Sequence, residues 1–250
     1  MLRVIAKLDV KPPFVVKPVH FEGLRKVGLP HELVEKYDRD RADEIFYIDI
    51  VASLYRRDLI YDEVQKASHK SIVPFGVGGG VRSLDDFKVL FRNGADKVLV
   101  NTYAVQENAN LIDVAAKEFG SQSVVANIEA KRVDGQWVCY TDCGRVVSDR
   151  DVLVWAKEVQ ERGAGEILIQ SVDMDGRQAG FDIDLVGNIV QQVKIPVVAA
   201  SGAGSKEHIL EVVRNAKPSG VAIASMIHFT QTTISDLKDY LSSKGVEVSK

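Results

Sequence analysis

Short, nearly continuous apolar runs alternate with amphipathic stretches along the whole chain. The runs are Arg3–Leu8, Ile45–Ile50, Ile72–Val77, Lys97–Val100, Val124–Glu129, Glu166–Gln170, Pro196–Ala200 and Gly220–Ile223. They are rich in β-branched residues and do not alternate with polar positions, as expected of parallel strands buried on both faces. Between them lie helical patterns, such as HELVEKYDRD (31–40), LDDFKVLFRNG (84–94), DVLVWAKEVQERG (151–163) and KEHILEVVRNA (206–216). Several close in or near Gly or Asn, the residues that end helices. Strand–helix alternation predicts parallel βαβ units, and eight of them suit a closed (β/α)8 TIM barrel. An open doubly wound sheet usually carries a GxGxxG loop after its first strand, and here that loop reads LDVKPPF. No linker or composition shift divides the chain, so residues 1–250 read as one α/β domain.

An internal repeat sharpens this expectation. PFGVGGGVRSLDDFKVLFRNGADKVLVNTYAV (74–105) parallels PVVAASGAGSKEHILEVVRNAKPSGVAIASMIHF (196–229). Each runs strand, Gly-rich loop, helix, strand and a small polar pair, Asn101-Thr102 or Ala224-Ser225. LDVK (8–11) likewise parallels IEAK (128–131), each with an acidic residue at a strand end and a lysine two places on. Two duplicated and fused half-barrels explain both matches.

Composition narrows the chemistry. With 250 residues, 46% hydrophobic and 27% charged, the chain can bury a large core. A net charge of −3, without a basic run, argues against nucleic acid as a partner. No apolar stretch is long enough to span a membrane, and the charged N-terminal run lacks the features of a signal peptide. A cytoplasmic protein is therefore expected. Cys139 and Cys143, four apart, match no zinc or redox spacing and read as reduced thiols. The five histidines, His20, His31, His69, His208 and His228, show no metal-ligand spacing, and neither metal nor other cofactor is implied.

Active residues of such barrels stand at the C-terminal strand ends. Two Gly-rich loops fall there, VGGGVRS (77–83) and ASGAGS (200–205). Glycines between a strand and a helix N-terminus let backbone N–H groups approach an oxyanion. Gly80 with Asn101 and Thr102 forms one candidate phosphate cradle. Gly202 with Ala224 and Ser225, beside Asp175 and Gly176 of DMDG (173–176), forms the other. Two cradles suggest a substrate with a phosphate at each end. Asp9 and Glu129, related by the repeat, are expected across the barrel mouth from each other, where two carboxylates can divide acid and base roles. The plainer alternative pairs each with backbone or with Lys11 and Lys131. Arg3, Glu44, Lys97 and Glu166 stand at N-terminal strand ends, and their spacing alone reads as separate solvated charges.

Together these motifs resemble the cyclase-subunit family of imidazole glycerol phosphate synthase. The resemblance runs from RVIAKLDV (3–10) through DIVAS (49–53), VGGGVRS, NTYAV (101–105), FGSQ (119–122), AKRVDG (130–135), GAGEIL (163–168) and DMDG to ASMIHF (224–229). It implies a (β/α)8 barrel acting on a long bis-phosphate, with Asp9 as one catalytic acid and Glu129 where the second aspartate belongs. It also implies that Arg3, Glu44, Lys97 and Glu166 gate ammonia arriving from a separate glutaminase subunit. Neither cysteine stands in a nucleophile elbow, so this chain is not expected to release ammonia from glutamine itself.

The chain departs from the family pattern at the active face. Glu129 replaces Asp, Lys7 stands where a small or thiol side chain is usual, Gln170 replaces a small hydroxyl residue, and Lys11-Pro12-Pro13-Phe14 replaces an Asp-Gly turn. DIVASLYRRD (49–58) resembles a branch of cyclase-like proteins encoded with surface-polysaccharide genes. The departures favour that branch, with ammonia transferred to a sugar. The alternatives are the histidine-biosynthesis cyclase, a phosphoribosyl isomerase-like barrel, and a non-catalytic barrel that docks a glutaminase.

Overall fold

The computed structural model describes residues 1–19 and 22–249, so His20 lies outside the described residues. Eight parallel strands close on themselves: β1 (Arg3–Lys11), β4 (Glu44–Asp49), β5 (Phe75–Gly78), β6 (Lys97–Val100), β7 (Val124–Val133), β10 (Glu166–Ser171), β11 (Val197–Ala200) and β12 (Gly220–Ile223). Each pairs with the next, β12 pairs with β1, and β7 pairs with β10 to complete the ring. Two antiparallel hairpins are added, β2 (Phe14–Val19) with β3 (Glu22–Gly28) after β1, and β8 (Gln136–Thr141) with β9 (Val146–Asp151) after β7.

All eight predicted strands are found; β1 and β7 run on to Lys11 and Val133, past the expected ends at Leu8 and Glu129, and all other ends but one agree to within one residue. The third begins at Phe75, not Ile72, whose side chain is 92% exposed before the chain enters the barrel. The hairpins were not expected. In FVVKPV a lysine and a proline interrupt the apolar run, and QWVCYT is bounded by Gln136 and Thr141, so neither reads as a continuous barrel strand.

The halves match element for element among the described residues. In each, the first barrel strand leads into a hairpin and the fourth into a short extra helix, Thr102–Gln106 or Ser225–His228. Asn101 (φ −141°, ψ −93°) and Ala224 (φ −134°, ψ −75°) precede those helices in nearly the same unusual conformation. Ser83 and Ser205 cap the helices that follow the Gly-rich loops, each accepting a hydrogen bond from a backbone N–H three residues on.

Strand alternation sorts the core into two parts. Val4, Ala6, Leu8 and Val10 of β1 join the layer between sheet and helices, whereas Ile5 joins a second cluster inside the barrel. Arg3, Ile5, Lys7 and Asp9 therefore form a single inward column from the bottom of the barrel to its mouth. Phe46, Leu99, Val125, Leu168 and Val198 complete an apolar layer around Ile5. Gly76 keeps that layer closed, because a side chain there would run into Phe46 and Leu99.

Candidate functional site

Below the apolar layer, four charges meet. Arg3 pairs with Glu44 at 2.6 Å and with Glu166, and Lys97 pairs with Glu44 and Glu166 at 2.7 Å each. The reading of separate solvated charges is thus corrected: the side chains form a closed alternating ring. The glutamates are almost wholly buried and the cations partly exposed. Burial, together with Glu166 nearby, holds the Glu44 carboxyl above its ordinary range despite Lys97 and Arg3. Removing one cation leaves buried carboxylates undercompensated, a kind of change that costs about 3–5 kcal/mol when a pair is fully buried. Lys97→Met is therefore expected to lower the melting temperature more than Lys66→Met, which breaks only an exposed pair with Glu63.

At the opposite end β1 and β7 overrun the barrel rim, and the two acids sit where each strand passes into its hairpin. Asp9 is level with Val16 of β2, and Glu129 with Tyr140 of β8. Both carboxyls are buried and line one cavity of about 260 Å³, shared with Lys7, Asn127 and Gln170. Their partners are not Lys11 and Lys131. Asp9 is held by Lys7 and, at 3.4 Å, by Lys17, which reaches Asp175 at 3.0 Å. Glu129 accepts a hydrogen bond from the Gly144 N–H at 2.7 Å, and Asn101 lines the same cavity.

These environments drive the two acids apart. Burial alone would raise the Asp9 carboxyl, but Lys7 and Lys17 outweigh it and hold Asp9 below the ordinary carboxylate range. For Glu129 burial wins over Gly144, Lys7 and Asn101, and its pKa is pushed up to about 7. One carboxyl is thus ionised and the other partly protonated near neutrality, the division that acid–base pairs need. Burial pushes the Cys143 thiol, beside Glu129 and Asp9, well above its usual range and the Cys139 thiol to about 12, so neither is a ready nucleophile.

The Gly-rich loops come together with their expected partners. Gly79, Gly80, Asn101 and Thr102 line the larger cavity, joined by Arg56, Arg57 and Arg82. Asp175, Gly176, Gly202, Ala224 and Ser225 line a second, smaller cavity with Lys17 and Gln178. The glycine requirement is strictest at Gly79 and Gly202, both at positive φ (106° and 97°). A Cβ would overlap the carbonyl of Asp49 at the first and of Gly180 at the second. Gly202→Ala is expected to destabilise the fold by about 1–3 kcal/mol and to abolish anion binding in the smaller cavity, read by calorimetry with inorganic phosphate.

Sequence reasoning missed Lys17 and Asn127. Lys17 is a buried cation inside the unexpected hairpin, and only its place within an apolar run, VVKPV, hinted at burial. Asn127 became legible only with register: β10 lies beside β7 with Gln170 level with Glu129, and the Gln170 amide donates to Asn127 Oδ1 at 2.7 Å. His228 is a packing histidine: it is buried, hydrogen-bonded to Tyr37 at 2.6 Å, and held neutral by burial with a pKa near 4. No group of His, Cys, Asp and Glu able to hold a metal occurs among the described residues. No helix among them is long and apolar enough to cross a membrane.

The fold and site define a (β/α)8 barrel enzyme with a polar cavity at the C-terminal strand ends and a duplicated pair of glycine-rich loops. A family model described as histidine biosynthesis protein matches residues 3–233. The chain is 44% identical over 246 residues to the imidazole glycerol phosphate synthase subunit HisF of Saccharolobus solfataricus, covering 98% of both chains. It is 43% identical to the subunit of the same name from Thermococcus onnurineus, covering 98% of this chain and 97% of that one. The chain belongs to the histidine-biosynthesis protein family.

Proposed function

We propose that this chain is the ammonia-using cyclase subunit of an imidazole glycerol phosphate synthase, working with a separate glutaminase subunit. One observation carries the reading. A single inward column on β1 joins the charged ring at Arg3, through the apolar layer at Ile5, to the catalytic acid Asp9. Neutral ammonia admitted at the ring of Arg3, Glu44, Lys97 and Glu166 crosses an apolar layer, which favours it over ammonium, and emerges among Asp9, Glu129 and Gln170.

The substrate in this reading is a formimino-ribulosyl bis-phosphate, with one phosphate on Gly80, Asn101 and Thr102 and the other on Gly176, Gly202, Ala224 and Ser225. Ionised Asp9 takes a proton from the nitrogen as the amine adds. Protonated Glu129 gives one to the departing nitrogen as the formimino C–N bond breaks, and the pair moves protons again at ring closure. The products are imidazole glycerol phosphate and an aminoimidazole carboxamide ribotide. Full-length similarity to two HisF subunits supports this acceptor over a sugar, the one favoured by the sequence departures. Lys7, Glu129 and Gln170 alter the active face but add no feature particular to sugars.

The ring is tested by comparing two ammonia supplies. With a partner glutaminase and glutamine, Lys97→Met is expected to lose about 10-fold or more of cyclase turnover. With excess free ammonium, which reaches the mouth from solution, it keeps most of it. Equal losses under both supplies contradict the gate.

A further inference from the structure

Lys7 occupies a singular place in this barrel. Among the described residues, it alone lines both the larger cavity, with Gly80 and Thr102, and the smaller one, with Gly202 and Ser225. Its side chain is buried at the barrel axis, one layer below the mouth, and its ammonium is ion-paired with Asp9. Asp9 keeps a second cation, Lys17, on its other oxygen, so the carboxylate stays compensated if Lys7 turns toward a ligand. An ammonium group only donates hydrogen bonds, and it has three N–H groups to distribute.

We infer that Lys7 is a substrate-contacting residue that grips an oxygen, carbonyl or hydroxyl, in the middle of the bis-phosphate where it passes from one cradle to the other. This rests on the bis-phosphate reading above. A molecule anchored by a phosphate in each cavity must cross the residue the cavities share, and the bonds to be remade lie between its ends, beside Asp9. Lys7 thereby measures the middle of the ligand, while the glycine loops hold only its ends. Single phosphates seated in one cradle do not need it.

The test compares wild type with Lys7→Met by calorimetry, using the formimino-ribulosyl bis-phosphate and, separately, inorganic phosphate. A hydrogen bond from a buried charged donor is worth about 10- to 100-fold in affinity. The bis-phosphate is therefore expected to bind Lys7→Met at least about 10-fold more weakly, with inorganic phosphate changed by less than about 3-fold. Lys7→Gln, which keeps a donor toward Asp9 but no charge, gives the same readout if the Met variant does not fold. Unchanged bis-phosphate affinity overturns the inference. An equal loss for both probes also overturns it, because Lys7 would then act only by holding Asp9 and the site together. A wild type that does not bind the bis-phosphate overturns it too. Lys7-dependent binding without ammonia-driven turnover leaves the inference standing and sinks the cyclase reading instead.

Discussion

Replacing Asp9 with Asn is expected to lower turnover by about 10³-fold or more while the protein remains folded. General acid–base groups contribute about 10²- to 10⁴-fold each, and Asp9 is the only one of the two opposed acids held fully ionised by its surroundings. The amide is nearly isosteric, so cavity shape is preserved and the loss reports chemistry. Stability falls as well, since Lys7 and Lys17 are buried against this carboxylate and lose their compensation. The linkage has a definite sign. Asp9 has its pKa depressed in the fold, so it contributes stability above its unfolded value of 3.8, a contribution lost as pH falls toward and through the folded value. The wild type should therefore lose stability relative to Asp9→Asn on acidification, which melting curves at several pH values would record. An Asn variant with undiminished turnover removes Asp9 from the mechanism.

Glu129→Gln separates activity from stability in opposite directions. Turnover is expected to drop about 100-fold. The pH profile should also change, because an acid with a pKa near 7 loses its proton as pH rises through 7. At fixed free ammonia, wild-type turnover therefore declines above about pH 7, and the Gln variant lacks that limb. Stability moves the other way. Folding raises the Glu129 pKa from 4.5 to about 7. The protonated form is thus favoured in the fold, and stability is lost as pH rises from the unfolded value through the folded one. At pH 8 the Gln variant, which never ionises, should be more stable by up to about 3 kcal/mol, with the gain shrinking toward pH 5. Denaturant titrations at the two pH values check this. A variant less stable than wild type at pH 8 shows that Glu129 is ionised and well compensated.

Much of this site was legible in the chain because the barrel repeats itself. Continuous apolar runs mark the eight strands, the duplicated loops pair Gly80 with Gly202, and the repeated strand ends LDVK and IEAK pair Asp9 with Glu129. The ring of Arg3, Glu44, Lys97 and Glu166 was legible as a set of strand-end charges, but the ion pairs depend on which strands face each other. What was not legible depended on register or on the hairpins. Lys17 reaches Asp9 only because β2 folds back on β1, and Gly144 meets Glu129 only because β8 and β9 fold back on β7. Gln170 drew notice as an unusual residue, whereas its partner Asn127 became visible only when β7 and β10 were set side by side. The sequence departures at the active face pointed toward a sugar acceptor. In the structure the same positions have a different reading: Lys7 bridges two cavities, and Glu129, with its longer side chain, reaches the hairpin N–H of Gly144.

The central claim is that this barrel uses ammonia to cleave and close a bis-phosphate at Asp9 and Glu129. The most direct test supplies purified protein with the formimino-ribulosyl bis-phosphate and excess ammonium, and follows substrate loss together with both products. Turnover of about 1 s⁻¹ or faster, dependent on ammonium and absent in Asp9→Asn, is the predicted result. Tight binding of the bis-phosphate with no ammonium-dependent turnover would contradict the cyclase assignment while leaving both anion cradles in place.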